Sequence, residues 1–242
     1  MQKNHKTLYY LIFVFALFLN VSFWVYSKTV QTKWANVPPV PKSESATMMA
    51  LSDKQLAYRG YNTMLQNIGS TGGYVASLLD YNYADLKQWF FLLDHLDPVS
   101  DVTPFLASYY YGAVKDSKKL DHVLDYLAIV GTRDFGNKWR WLGHGVFIAR
   151  HIQKDNVRAL ELANILAANQ NPDIGIWAKQ MPAIIQQSEG NTEEAYKIMI
   201  NLIQDSSETL HPNEINYMVD YICNTILKED TTLQKPDFCD NL

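Results

Sequence analysis

The stretch Trp141-Leu142-Gly143-His144-Gly145-Val146-Phe147-Ile148-Ala149 returns 36 residues later as Trp177-Ala178-Lys179-Gln180-Met181-Pro182-Ala183-Ile184-Ile185, and Phe105-Leu106 stands 36 residues before it. The same step relates Val123, Ala159 and Ala195, then Leu127, Ala163 and Met199, then Val130, Leu166 and Leu202. A period of this size marks helical hairpins that cannot bury their apolar flanks alone and must stack on one another. The repeat therefore organises the region from Pro104 to Gln204.

Each unit reads as helix A, a polar turn and helix B. The first has A near 104–114, the turn Lys115-Asp116-Ser117-Lys118-Lys119, and B near 120–130. The second has A near 138–152, the turn Gln153-Lys154-Asp155-Asn156, and B near 157–168, closed by Asn171-Pro172. The third has A near 174–187, the turn Ser188-Glu189-Gly190-Asn191, and B near 192–204. Pro182 lies inside that last helix A, where a missing N–H and a ring clash predict a kink or a break.

Upstream, Ser52 or Asp53 caps a predicted helix from Lys54 to Asn67, which Gly69-Ser70-Thr71-Gly72-Gly73 ends. A short helix over 74–79 and a stronger one from Ala84 to Leu96 follow, with Asp97-Pro98 as the stop. Residues 54–98 then read as a degenerate first unit. Downstream, His211-Pro212-Asn213 opens a helix from Glu214 to Leu227 that covers the end of the stack, and the chain is expected to fray beyond it.

The 242 residues are 48% apolar, enough for one substantial core once an N-terminal segment is set aside. Net charge is −4, with 21 basic and 25 acidic residues interspersed, so no basic stripe exists to neutralise a phosphate backbone. Nucleic acid is not an expected partner. From Thr7 to Ser27 no residue is charged, and 21 residues at about 1.5 Å each span a bilayer's hydrocarbon core. Tyr9 and Tyr10 at one end and Trp24 and Tyr26 at the other suit the two interfaces. A cleavable signal peptide is the rival, but the run is long and no small-x-small site follows it. The sequence thus divides into a short tail (1–6), a transmembrane anchor (7–27), a linker with Pro38, Pro39 and Pro41 (28–50), a helical domain (51–228) and a tail (229–242). The linker reads as an extended tether without regular structure. A short tail ahead of a signal-anchor favours an extracytoplasmic, periplasmic domain.

Cys223 and Cys239 lie 16 apart with no metal-ligand spacing around them. Two readings stay open: a bridge tying the tail to the last helix in an oxidising compartment, or a buried Cys223 beside a loose Cys239. No H-E-x-x-H, G-x-S-x-G or dinucleotide fingerprint occurs, and no cofactor or metal is expected. His144 and His151, seven apart, share a helical face but lack further ligands at fitting offsets.

On these residues the chain resembles the tetratricopeptide repeat family, whose signature is W-x2-L-G-x2-Y on helix A, a small residue in helix B and Pro after it. Trp141, Gly145 and Ile148 take the places of Trp, Gly and Tyr, with His144 where Leu is usual, Ala159 as the small residue and Pro172 following. Trp177, Ala195 and Pro212 match again, while Met181 replaces the glycine. The fold expected is all-α: a TPR-like α-solenoid of helical hairpins preceded by a single transmembrane helix. The resemblance implies that helix A lines a groove that receives a peptide or helix. With Trp141 and Trp177 assigned to the core, Trp141→Ala is expected to cost about 3–5 kcal/mol. Tyr110, Trp139, Arg150 and Gln186 are then the candidate partner-binding residues, with Arg140 and Lys138 at the rim. Arg grips carboxylates with paired hydrogen bonds and aromatic rings anchor apolar side chains. The function expected is a membrane-anchored, non-enzymatic scaffold or assembly factor for proteins near the bilayer. The alternatives are a helical envelope enzyme acting on cell-wall glycan through a single acid, and a structural subunit of a membrane complex.

Overall fold

The computed structural model describes residues 2–29, 37–71, 74–206 and 210–241. Apart from one pair of two-residue strands, the regular structure of those residues is helical. Helix α1 runs Gln2–Thr29, and its 21-residue stretch Leu8–Lys28 has a mean hydropathy of 2.1 with none of it buried in protein. It is long and apolar enough to cross a membrane.

The linker differs from the expected free tether. Val37 and Val40 pack on the core, the Trp89 indole N–H donates to the Pro38 carbonyl at 2.8 Å, and Ser43–Met49 forms helix α2 with Ala46 fully buried. Proline's constraint ends at Pro41, and beyond it nothing forbids helix. Helix α3 is Lys54–Asn67, started by the Asp53 carboxylate accepting from the Gln55 and Leu56 N–H groups. Asn82 does the same for α4 (Tyr83–Leu96), Asp116 for α6 (Ser117–Val130) and Asp155 for α8 (Asn156–Ala167). Each cap is worth about 1 kcal/mol. Between α3 and α4 the expected short helix is absent. Instead Ser70–Thr71 (β1) pairs antiparallel with Tyr74–Val75 (β2), and a single tight turn follows at Leu78–Asp80. Gly69, at φ +75°, admits the Tyr81 hydroxyl where a Cβ would collide.

Helix α5 begins at Val102–Phe105, widens over Leu106–Tyr110 and tightens over Tyr111–Ala113. Helix α7 is Trp139–Phe147 with wide turns over Ile148–Gln153. Then come α9 (Ile176–Ser188), α10 (Thr192–Ser206) and α11, which runs Pro212–Tyr221, widens over Ile222–Ile226 and ends at Leu227–Glu229. Consecutive helices pack in chain order, α7 on α8, α8 on α9, α9 on α10, with α4, α6 and α7 joined through α6. Residues 36 apart share burial: Leu106, Leu142 and Ala178 are buried, as are Val123, Ala159 and Ala195, and Leu127, Ala163 and Met199. Pro182 neither breaks nor ends α9, which runs on six residues past it to Ser188. The proline is itself buried, so packing on both sides holds the turn that its ring disfavours. Helix α9 also joins two cores, giving Ala178 and Ile185 to the larger and Ile176 and Ala183 to the smaller.

The C-terminal segment does not fray. Cys223 and Cys239 are disulfide-bonded with Cα atoms 5.7 Å apart, and the Tyr196 hydroxyl donates to the Gln234 carbonyl at 2.7 Å.

The tryptophans reverse the roles expected of them. Trp139 is 2% exposed, on one stripe with Leu142, Val146 and Ala149 that faces the core. Trp177 is 41% exposed and lies across Gly143, where a Cβ would come within 2.9 Å of its ring, 5.4 Å from Trp139. Trp141 is half-buried, its indole N–H donating to Asp101 at 2.8 Å. Trp139→Ala should therefore cost about 3–5 kcal/mol, and Trp177→Ala at most about half of that. Equal losses in urea unfolding of the two variants would reject this assignment.

Lys138 is likewise no rim residue. It is buried against Asp94, itself buried, and Arg133 donates to the same carboxylate at 3.0 Å. Asn169 and Asn171 donate to the Gly131 and Gly136 carbonyls at 2.6 and 2.8 Å, fixing the loop that carries these cations. Asp94→Ala strands a buried ammonium and should destabilise by about 3–5 kcal/mol, whereas Asp94→Leu with Lys138→Met should recover most of the loss. Urea midpoints of the single and double variants decide the matter, and a double variant no better than the single one contradicts the account.

Candidate functional site

Helices α5, α7 and α9, which open the three hairpins, and α11, which covers the end of the stack, turn a second face away from the core, and aromatic rings collect there. On α5, Phe105 and Tyr109 lie 5.2 Å apart by ring centroids, and each approaches Trp141 of α7 edge-on, at 5.7 and 6.1 Å. Tyr109 stacks on His144 at 4.2 Å, His144 on Phe147 at 5.6 Å, and Phe147 meets His151 at 4.7 Å. Helical spacing explains the row: 141, 144, 147 and 151 share a face roughly opposite the buried 139, 142, 146 and 149. The wide turns in α5 and α7 carry Tyr109 and His151 into this row. Phe105, Tyr109 and Phe147 are all exposed.

Beyond the row the face opens into two adjoining cavities that share Met181 and Ile184. The smaller, about 120 Å³, lies between α7 and α9 and is lined by Phe147, Arg150, His151 and Ile185 among others. The larger, about 390 Å³, lies between α9 and α11 and is lined by Trp177, Gln180, Glu214 and Tyr217 among others. Their walls are largely apolar with charge at the ends, Arg150 at one and Glu214 at the other. Among the described residues no carboxylate is paired with Arg150.

Of the five residues expected to bind a partner, the structure places Arg150 here and the other four elsewhere. Trp139 is buried in the core, for the packing reason given above. Arg140 covers its ring, guanidinium carbon 5.2 Å from the centroid. Tyr110 is exposed but lies apart from this face, its ring meeting the buried Tyr111 edge-on at 4.9 Å. The Gln186 side chain accepts from Asn191 at 2.7 Å, closing the turn after α9. The sequence reasoning missed Phe105, Tyr109, Phe147, Met181, Ile184 and Tyr217. The available signal was that α7 is apolar or aromatic on two opposed faces, which a helix packed on one side only does not need.

No three His, Cys, Asp or Glu side chains among the described residues group as a metal site would require. Asp94, the buried carboxylate, lines neither cavity and is taken by Arg133 and Lys138. Burial lowers the His144 pKa below its ordinary 6.5, which keeps the stacked imidazole neutral. The sign follows from proton binding: below about pH 6.5 the unfolded chain takes up a proton that folded His144 resists, so stability falls as pH drops through that range and is flat above it. His144→Phe should flatten this part of the profile, seen as the difference between variant and parent in urea midpoints between about pH 7 and 5. Parallel profiles refute the assignment.

No family model, curated protein or solved structure matches the chain.

Proposed function

We propose that the chain is a membrane-anchored, TPR-like α-solenoid that acts as a non-enzymatic scaffold or assembly factor, holding a protein segment against the face made by α5, α7, α9 and α11. The observation that carries the reading is the exposed aromatic row running into two cavities on successive first helices. Recurrent burial at 36-residue spacing supports the repeat. Exposed rings around a groove are the composition of a recognition surface, since aromatic residues and Arg supply most hot-spot energy. Arg150, with no carboxylate of its own, is suited to grip one on the partner. Anchoring by α1 restricts partners to those near the bilayer and raises their effective concentration. We place the domain on the extracytoplasmic side, where the Cys223–Cys239 bond is compatible with an oxidising compartment.

The glycan-hydrolase alternative needs an acid in a cleft; Asp94 lines neither cavity, so that reading would have to rest on Glu214 in the wall of the larger one. The test is in-cell crosslinking of the full-length protein with identification of captured partners, repeated on the triple variant Phe147→Ala, Arg150→Ala, Tyr217→Ala. These side chains are exposed or half-buried, so the fold should survive, as circular dichroism would show. Capture should fall by about 30-fold or more, the equivalent of one hot spot of about 2 kcal/mol. Undiminished capture by a folded triple variant would count against the groove.

A further inference from the structure

The tip of helix α2 is the most exposed apolar group on the helical domain near its N-terminal edge. Met48, Met49 and Leu51 are 74%, 78% and 89% exposed, although they are consecutive or nearly so. They are held there by a rigid turn. Leu51 and Ser52 both adopt left-handed backbone, φ 56° and 65°, an arrangement costly for side chains with a Cβ. The turn is closed by the Leu51 N–H donating to Met48 at 3.1 Å, Ser52 to Thr47 at 2.8 Å and Asp53 to Ala50 at 3.0 Å. Strain and exposure together present three large apolar side chains to whatever lies outside the domain.

Chain connectivity says what that is. Pro38 is fixed to Trp89, the Trp89 ring lies 5.3 Å from that of Tyr61, and the Tyr61 hydroxyl donates to the Met49 sulfur at 3.5 Å. The point where the linker joins the domain and the α2 tip are thus bridged by two side chains. From Thr29, the end of α1, to Val37 is eight residue steps, at most about 30 Å of extended chain. The tip therefore cannot move far from the surface of the membrane that holds α1. Exposed charges beside the tip balance, Lys42 and Lys54 against Glu44 and Asp53, so its attraction to that surface is apolar.

We propose that Met48, Met49 and Leu51 seat in the interface of the bilayer that α1 spans, so that the helical domain rests on the membrane by its N-terminal edge. The inference uses the membrane-anchor part of the proposed function and is independent of the groove and of sidedness. It is tested on the full-length protein in nanodiscs, made once with phosphatidylcholine and once with added phosphatidylglycerol. Three single variants are compared: Leu51→p-benzoylphenylalanine, Phe15→p-benzoylphenylalanine within α1, and Val157→p-benzoylphenylalanine on α8, where the native side chain is 82% exposed. Irradiation should attach lipid at Leu51 several-fold more than at Val157, equally in both lipid mixtures, with Phe15 labelled as the anchor control. Lipid at Phe15 but no more at Leu51 than at Val157 overturns the proposal and leaves the anchor standing. No lipid at Phe15 removes the anchor and the proposal with it. A Leu51 adduct to a second protein chain in place of lipid also overturns it, showing that protein covers the tip.

Discussion

A hairpin of two short helices has more apolar flank than its two arms can cover for each other, and the fold follows from that shortage. Helix α9 shows the consequence most directly. Its Ala178 and Ile185 complete the core built by α3 to α8, while Ile176 and Ala183 begin the core shared with α10 and α11. Without its neighbours on both sides this 13-residue helix would have no reason to persist, since helices of that length are marginal alone. The small residues that recur at fully buried positions, Ala159, Ala163, Ala178 and Ala195, let the helix backbones approach closely. Hydrophobic burial supplies the energy, and the spacing of alanines sets where each helix lies.

Apolar packing alone does not fix how α7 enters the stack. That is the work of the loop from Gly131 to Lys138, which is held from both sides. Asp94 of α4 draws in Lys138 and Arg133, and Asn169 and Asn171, just after α8, take the Gly131 and Gly136 carbonyls. A buried lysine is expensive, and burial does lower the Lys138 pKa, with Asp94 opposing the shift. The gain is positional: Lys138 directly precedes Trp139, so the ion pair sets the phase at which α7 starts. That phase sends Trp139 inward and Trp141, His144, Phe147 and His151 outward. The aromatic face therefore depends on a carboxylate two helices away.

Helix starts have local signals, of which Asp53 reads as a cap, while Asp116 and Asp155 read as turn residues and the helix after Asp116 is expected three residues late. Asp53, Asn82, Asp116 and Asp155 each stand one residue before a helix whose first N–H groups they take. The 36-residue step was legible because a repeated environment selects repeated side-chain size. What periodicity does not carry is phase. Trp141 and Trp177 are equivalent in sequence and in the structure, yet the environment they share is a partly exposed edge, with the core beginning one residue later at Leu142 and Ala178. The reading of Trp139 failed with it, because assigning Trp141 inward left Trp139 outward by elimination, whereas Arg150 does line the open face. Pro182 misled for a different reason, since the cost of a helical proline is real but α9 is packed on two sides and absorbs it. The docked linker was illegible because the Trp89 to Pro38 bond spans 51 residues.

That last contact replaces the expected free tether with a segment docked on the domain. A free proline-rich tether would let a recognition domain tumble, and its groove would then meet partners in any orientation. Val37, Pro38 and Val40 are instead joined to the core, and Ala46 of α2 is fully buried. If α1 spans a bilayer as proposed, at most eight residue steps separate its end from the docked Val37, and the proposed groove would be offered to partners over a narrow range of heights. In the proposed arrangement geometry would select partners before affinity does, and a groove with Arg150 and a few exposed rings would then be enough.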